Sequence, residues 1–186
     1  MRTILKDIAN IQTGVFAKPT QNGEIVYLQA KHFDENGEIT ETLYPNLKIE
    51  NKKIEKHLLN KGDVLFAAKG TKNFAAWYNN NEIHAVASTT FFVIRLRNKN
   101  VLPGYLMWFL NHPNTQLLLK KHAKGSSITS IPKIALSDLE ILVPDIKTQK
   151  IILKIQTLRN KERKLRQQIE HLKEKEIQQQ LFNAIK

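Results

Sequence analysis

The chain has 186 residues, 41% hydrophobic and 25% charged, a globular composition with enough apolar side chains for one domain and an appendage. Its 29 Lys and Arg against 17 Asp and Glu give a net charge of +12, which points to a polyanionic partner, nucleic acid ahead of an anionic membrane. The lack of cysteine excludes disulfides and thiolate metal sites; with no signal peptide at Met1–Asp7 and no apolar run of about 20 residues, a soluble cytoplasmic protein is expected.

Along the chain, Ile25-Val26-Tyr27-Leu28 predicts a strand, followed by a turn at Asp34-Glu35-Asn36-Gly37. Lys61-Gly62 turns into a buried strand, Asp63-Val64-Leu65-Phe66-Ala67-Ala68. Phe91-Phe92-Val93-Ile94-Arg95-Leu96 is aromatic and β-branched, and the polar run Arg97–Asn100 ends it. A helix starts near Pro103 and carries Tyr105, Leu106, Trp108, Phe109 and Leu110 as core residues. Pro113 breaks it, and it resumes over Thr115–Lys121. Short strands separated by loops, with one interrupted helix, predict an α+β fold over residues 1–145, with a small curved or barrel-like β-sheet.

Residues 146–186 differ in kind. From Thr148 onward there is neither Gly nor Pro, and helix formers dominate. Ile151, Ile155, Leu158, Leu165, Ile169 and Leu172 recur at alternating steps of three and four, with Glu162 in the polar seam position. This is a coiled-coil seam, and it slips in phase to Ile177, Leu181 and Ile185. A helix of that length extends about 58 Å, too long to bury its stripe on a small domain, so a partner helix is expected. The segment from Lys147 holds 11 basic and 4 acidic residues, which a solvated helix face also explains.

Catalytic signatures are missing. Gly70-Thr71-Lys72 lacks the earlier glycine of a phosphate-binding loop, and there is no nucleophile elbow and no dinucleotide fingerprint. The six histidines form no metal-ligand spacing. Pro144-Asp145 followed by Glu162-Arg163-Lys164 mimics a metal-dependent nuclease pattern. However, the two charged residues fall on different faces of a helix, so no enzyme, metal or cofactor is expected.

Binding chemistry is what remains. Lys69-Gly70-Thr71-Lys72-Asn73 follows the buried strand, and Lys120–Thr129, with Lys124, Ser126 and Ser127, follows the interrupted helix. Both join cations to small hydrogen-bonding residues around a glycine. The cations suit phosphates, the glycine allows close backbone approach, and Lys, Asn, Ser and Thr can also reach base edges. Gln29 and Lys31, after the first strand, are further candidates.

In order and spacing these pieces resemble the recognition half of type I restriction–modification specificity subunits. Leu5–Gly14 resembles the opening of their recognition domain. Gly62–Gly70 resembles the G-D-[IV]-L…[RK]-G strand and loop, and Ala87–Arg95 the strand after it. Gly125–Ile131, Leu136–Pro144 and Thr148-Gln149-Lys150-Ile151-Ile152 resemble the exit segment. Departures are a single proline at Pro144, Thr148 in place of a common Glu, and one recognition domain and one long helix where such subunits carry two.

The resemblance implies a target-recognition domain over residues 1–145 and a dimerising spacer helix over 146–186. It implies a non-catalytic protein on double-stranded DNA that directs a methyltransferase subunit, which would dock on the outer face of residues 148–180. A restriction or translocase subunit is a further implied partner. Two copies pairing their helices antiparallel would read a palindrome split by unread bases. The competing class is a helix-mediated scaffold protein whose basic charge is incidental.

Overall fold

The computed structural model of the chain describes residues 1–48, 52–80, 83–123 and 129–185. It separates into two compact units, Met1–Ile146 and Lys147–Lys186. In chain order the first unit contains β1 (Arg2–Ile4), α1 (Leu5–Ile8), β2 (Ala9–Thr13), β3 (Val26–Leu28), a single 3-10 turn at Ala30–His32, α2 (Lys52–Glu55), β4 (Val64–Ala67) and β5 (Lys69–Gly70). There follow β6 (Ala75–Trp77), β7 (Ala85–Ala87), β8 (Phe91–Leu96), α3 (Pro103–Asn111), α4 (Pro113–Lys121), β9 (Thr129–Ser130), α5 (Lys133–Ser137) and β10 (Glu140–Leu142). The long helix α6 spans Ile146–Ala184.

The fold is the expected α+β class. Its centre is an open four-stranded antiparallel sheet in the order β2-β8-β4-β6. Two-stranded pairs surround it: β1 with β10, β5 with β9, and a parallel pair of β3 with β7. All four residues of β4 are buried, as a continuous apolar run of that length requires. On one face Leu65, Ala67, Phe91 and Val93 join Val26, Leu28, Phe74, Ala76, Ala85 and Ala87 in a single cluster. Rings of Phe33, Phe74 and Phe91 meet there with centroids 5.7 to 6.0 Å apart, near edge-on for two of the three pairs. Helix α3 packs against β4 and β6.

The prolines act as read from the sequence. Pro103 and Pro113 each occupy the first turn of a helix, so the interrupted helix is a pair, α3 and α4. His112 separates them, and its Nδ1 accepts from the Asn114 amide at 3.3 Å.

An ion pair buried at its carboxylate end holds the entrance to β4. Asp63, 1% exposed, accepts from Arg95 Nε at 2.8 Å and Nη2 at 2.7 Å, and from the Asn60 amide at 2.8 Å. The Arg95 guanidinium also donates to the Leu58 carbonyl at 3.2 Å, and its hydrogen bond to Asp63 pushes its pKa further up. The unit closes where it opens: Met1 and Val143 exchange hydrogen bonds of 2.9 and 2.8 Å, and the Leu5 amide donates to Leu139. Tyr105 adds its hydroxyl to the Leu142 carbonyl at 2.5 Å.

In the second unit α6 is unbroken, as the absence of Gly and Pro predicts. Pairs one turn apart line it: Glu162 with Arg166 at 2.7 Å, Gln156 with Asn160 at 3.1 Å and Glu174 with Gln178 at 2.9 Å. In the single chain Ile151, Ile155, Leu158, Leu165, Ile169 and Leu172 are 48% to 62% exposed. At 100° per residue they occupy an arc of about 100°. Ile177 and Leu181 lie to one side of that arc, and Phe182, which the periodicity reading passed over, is also exposed. Glu162 and Lys164 stand about 200° apart on the helix, so the nuclease-like spacing builds no site there.

Candidate nucleic-acid interface

The structure joins parts of the chain that the sequence reading treated as separate loops. Strand β4 continues through Ala68 into β5, and β5 pairs antiparallel with β9, Lys69 opposite Ser130 and Gly70 opposite Thr129. The Ala68 backbone anchors the junction: its amide donates to Thr90 and its carbonyl accepts from Ile131, both at 2.9 Å. Lys69–Asn73 thus lies against the downstream end of the second basic loop. Lys124, Ser126 and Ser127 themselves lie outside the described residues.

Within the first loop the residues point different ways. Lys69, Thr71 and Lys72 are exposed. Gly70 has φ of +137°, a region that side-chain-bearing residues avoid, and the space beside it is open. Conformation, not crowding, therefore selects glycine there. Asn73 turns inward: its amide donates to the Ala67 carbonyl at 2.9 Å, closing the hairpin between β4 and β6. Its Oδ1 is buried without a hydrogen-bond partner among the described residues.

Gln29 caps the 3-10 turn after β3 and Lys31 lies within it; Gln29 is half-buried and Lys31 exposed. The Gln29 amide donates to Nδ1 of buried His32 at 3.2 Å, and burial holds the His32 imidazole below its ordinary pKa. The chain then runs to the Asp34–Glu38 turn, which packs on the residues following the first loop. Phe33 meets Phe74, and Lys72 Nζ meets Glu35 Oε2 at 2.9 Å. Neither Glu35 nor Asn111, whose side chain bonds both the Ala75 amide and carbonyl, stood out in the sequence. The turn itself was legible from Asp34-Glu35-Asn36-Gly37; its neighbour across the fold was not.

The edge so formed carries exposed ammonium groups, a hydroxyl and accessible backbone, which is chemistry for phosphate contact and hydrogen bonding to bases. Among the described residues no group of three or more His, Asp or Glu could hold a metal ion. None of the described helices is long and apolar enough to cross a membrane.

Comparison with solved structures gives the same architecture. The HsdS subunit from Thermoanaerobacter tengcongensis matches with TM-score 0.64 and 18% identity, over 90% of this chain and 44% of that one. The type I restriction–modification system S subunit from M. genitalium matches with TM-score 0.60 and 14% identity, over 87% of this chain and 39% of that one. A third structure, described by the structural basis of complex assembly and conformational transition of the type I R-M system, gives TM-score 0.62 and 15% identity, over 87% and 38%. At these identities the likeness is one of fold, and this chain spans 38% to 44% of the length of those it matches. Comparison with curated proteins gives no match. The family model for the type I restriction modification DNA specificity domain matches residues 3–171, nearly the whole chain and both of its units. By fold, by the order of its segments and by that match, the chain belongs to the type I restriction modification DNA specificity domain family.

Proposed function

We propose that the chain is a non-catalytic DNA-recognition subunit of a type I-like restriction–modification system, which directs a methyltransferase subunit to its target. The observation that carries this reading is the β5–β9 ladder, which sets the first basic loop against Thr129 and Ser130, next in the chain after the second, in a domain of this family. In this reading Lys69, Thr71 and Lys72 contact DNA directly, with Lys124, Ser126 and Ser127 from the second loop and Gln29 and Lys31 beside them. Asn73 shapes the first loop from inside and offers its buried acceptor to a donor arriving with the duplex.

Residues 1–145 act as the recognition domain and 146–186 as the spacer. The exposed stripe Ile151, Ile155, Leu158, Leu165, Ile169 and Leu172 takes the same stripe of a second copy, antiparallel. Such a dimer has identical half-sites, so the target is a split palindrome with its gap set by helix length. A methyltransferase subunit docks on the outer face of residues 148–180, and a restriction or translocase subunit joins through it.

Selection from a random duplex pool, with and without the cognate methyltransferase subunit, tests the reading. A split palindrome is the expected result. A split asymmetric motif replaces the homodimer with a pair of different recognition chains. An intact dimer that enriches nothing in either condition overturns the proposal in favour of a helix-mediated scaffold.

A further inference from the structure

The Lys72–Glu35 pair is an unexpected feature at an edge built of cations. The chain carries a net charge of +12, yet one of the two lysines on its first basic loop is matched by a carboxylate at 2.9 Å. Both side chains are about two-thirds exposed, at 68% and 65%, so the pair holds little stability and exchanges readily.

The backbone that presents Glu35 is, by contrast, heavily braced. Asp34 Oδ1 accepts from the Asn36 amide at 2.8 Å and the Glu38 amide at 2.9 Å, and its backbone bonds Glu38 and Gly37. Gly37 sits at φ +77°, so close to β6 that a Cβ would lie 2.1 Å from the Ala75 carbonyl oxygen. Asn111 ties the Asn36 and Ala75 carbonyls together from α3, at 3.4 and 2.8 Å. A turn pinned to the sheet and to a helix holds its carboxylate within reach of one mobile lysine.

From this geometry we infer that Glu35 is a charge gate on Lys72, a positioning residue that weakens the binding of phosphate to this loop. The inference rests on the DNA-recognition reading above and deepens it. In the free chain the carboxylate occupies the lysine. A phosphate arriving at Lys72 must displace it, and then lies beside a like charge that the braced turn does not let withdraw. A protein this basic would otherwise be held by bulk DNA through counterion release alone. The gate leaves the other contacts to decide where it stays. A weak, exposed pair suits the role, because a buried one would not yield to a phosphate.

The test is fluorescence anisotropy of the full chain with a labelled random-sequence duplex over a salt series. Five forms are compared: wild type, Glu35→Gln, Lys72→Ala, the double variant Glu35→Gln with Lys72→Ala, and a chain with the two charges swapped. Glu35→Gln is expected to tighten binding about 3- to 10-fold at low salt and to steepen the logarithmic salt slope by up to about 0.9. In the Lys72→Ala background the same substitution changes little, because no phosphate is drawn to that position. The charge-swapped chain, Glu35→Lys with Lys72→Glu, restores a neutral pair and returns affinity and slope towards wild type, which a merely structural role for Glu35 does not predict. No change in Glu35→Gln, or an equal change in both backgrounds, overturns the gate while leaving DNA recognition standing. A wild-type chain that binds no duplex sinks the recognition reading and the gate with it.

Discussion

Breaking the Asp63–Arg95 pair from its two ends should cost very different amounts. Asp63 is 1% exposed and accepts three hydrogen bonds, two of them from Arg95, whereas the Arg95 side chain is 37% exposed. Arg95→Met strands a carboxylate that water cannot reach, and such stranding costs roughly 3–5 kcal/mol. Asp63→Ala strands a guanidinium that already touches solvent and keeps its bond to the Leu58 carbonyl. Its main loss is the bond to the Asn60 amide and the pair itself, about 1–3 kcal/mol. Urea unfolding of both variants at pH 7, followed by far-UV circular dichroism, reads the two values directly. If Asp63→Ala proves as costly as Arg95→Met, or if both fall below about 1 kcal/mol, the pair does not hold the entrance to β4. Binding should survive in whatever fraction remains folded, because neither residue lies on the loop proposed to contact DNA.

Three further outcomes are expected. In the proposed dimer Leu165→Asp places a charge in the seam twice; losing the burial of two leucines alone forfeits about 3–6 kcal/mol, so the wild type is expected to sediment as a dimer and the variant as a monomer at the same concentration. A dimer that sediments intact removes Leu165 from the interface. Lys72→Ala should weaken binding across sequences alike and lower the salt slope by whatever part of one contact, about 0.9, Glu35 leaves to it, with sequence preference retained; unchanged affinity takes Lys72 out of the footprint. His32 is held below its ordinary pKa of 6.5 by burial, against the opposing pull of the Glu41 carboxylate and with a smaller lowering contribution from Lys31. Because the unfolded state then binds the proton more readily, stability is present above pH 6.5 and declines as pH falls through the lower folded value. His32→Asn, which keeps an acceptor for the Gln29 amide, should flatten unfolding free energy between pH 7 and about 5; an unaltered pH profile refutes the assignment.

Legibility in the sequence followed the range of the interactions. Helix α6 was readable because a period sustained over many turns leaves its mark residue by residue. Strands β4 and β8 were readable from runs of buried β-formers, and the α3–α4 break from Pro113 alone. The β5–β9 and β1–β10 pairs were not. Strands of two or three residues are too short to show alternation, and their partners lie about sixty or more residues away along the chain, where only the folded sheet specifies the match. The site divided in the same way. The basic character of the first loop was local and legible, while the inward turn of Asn73 depends on the Ala67 carbonyl across the hairpin. Glu35 was legible as a turn residue, but its meeting with Lys72 spans 37 positions and needs the aromatic contact of Phe33 with Phe74 to bring the two segments together.

The mutual hydrogen bonds of Met1 and Val143 give the first unit the layout of a plug with both prongs on one side. Chain enters and leaves at neighbouring points, beside the three residues that lead into α6. A module wired in this way can be cut out and set on another helix, or reopened at a surface loop with its old ends joined by a short link, without disturbing the four-stranded sheet. Exchange of the whole unit between chains is thus mechanically simple, since the points to be joined lie side by side.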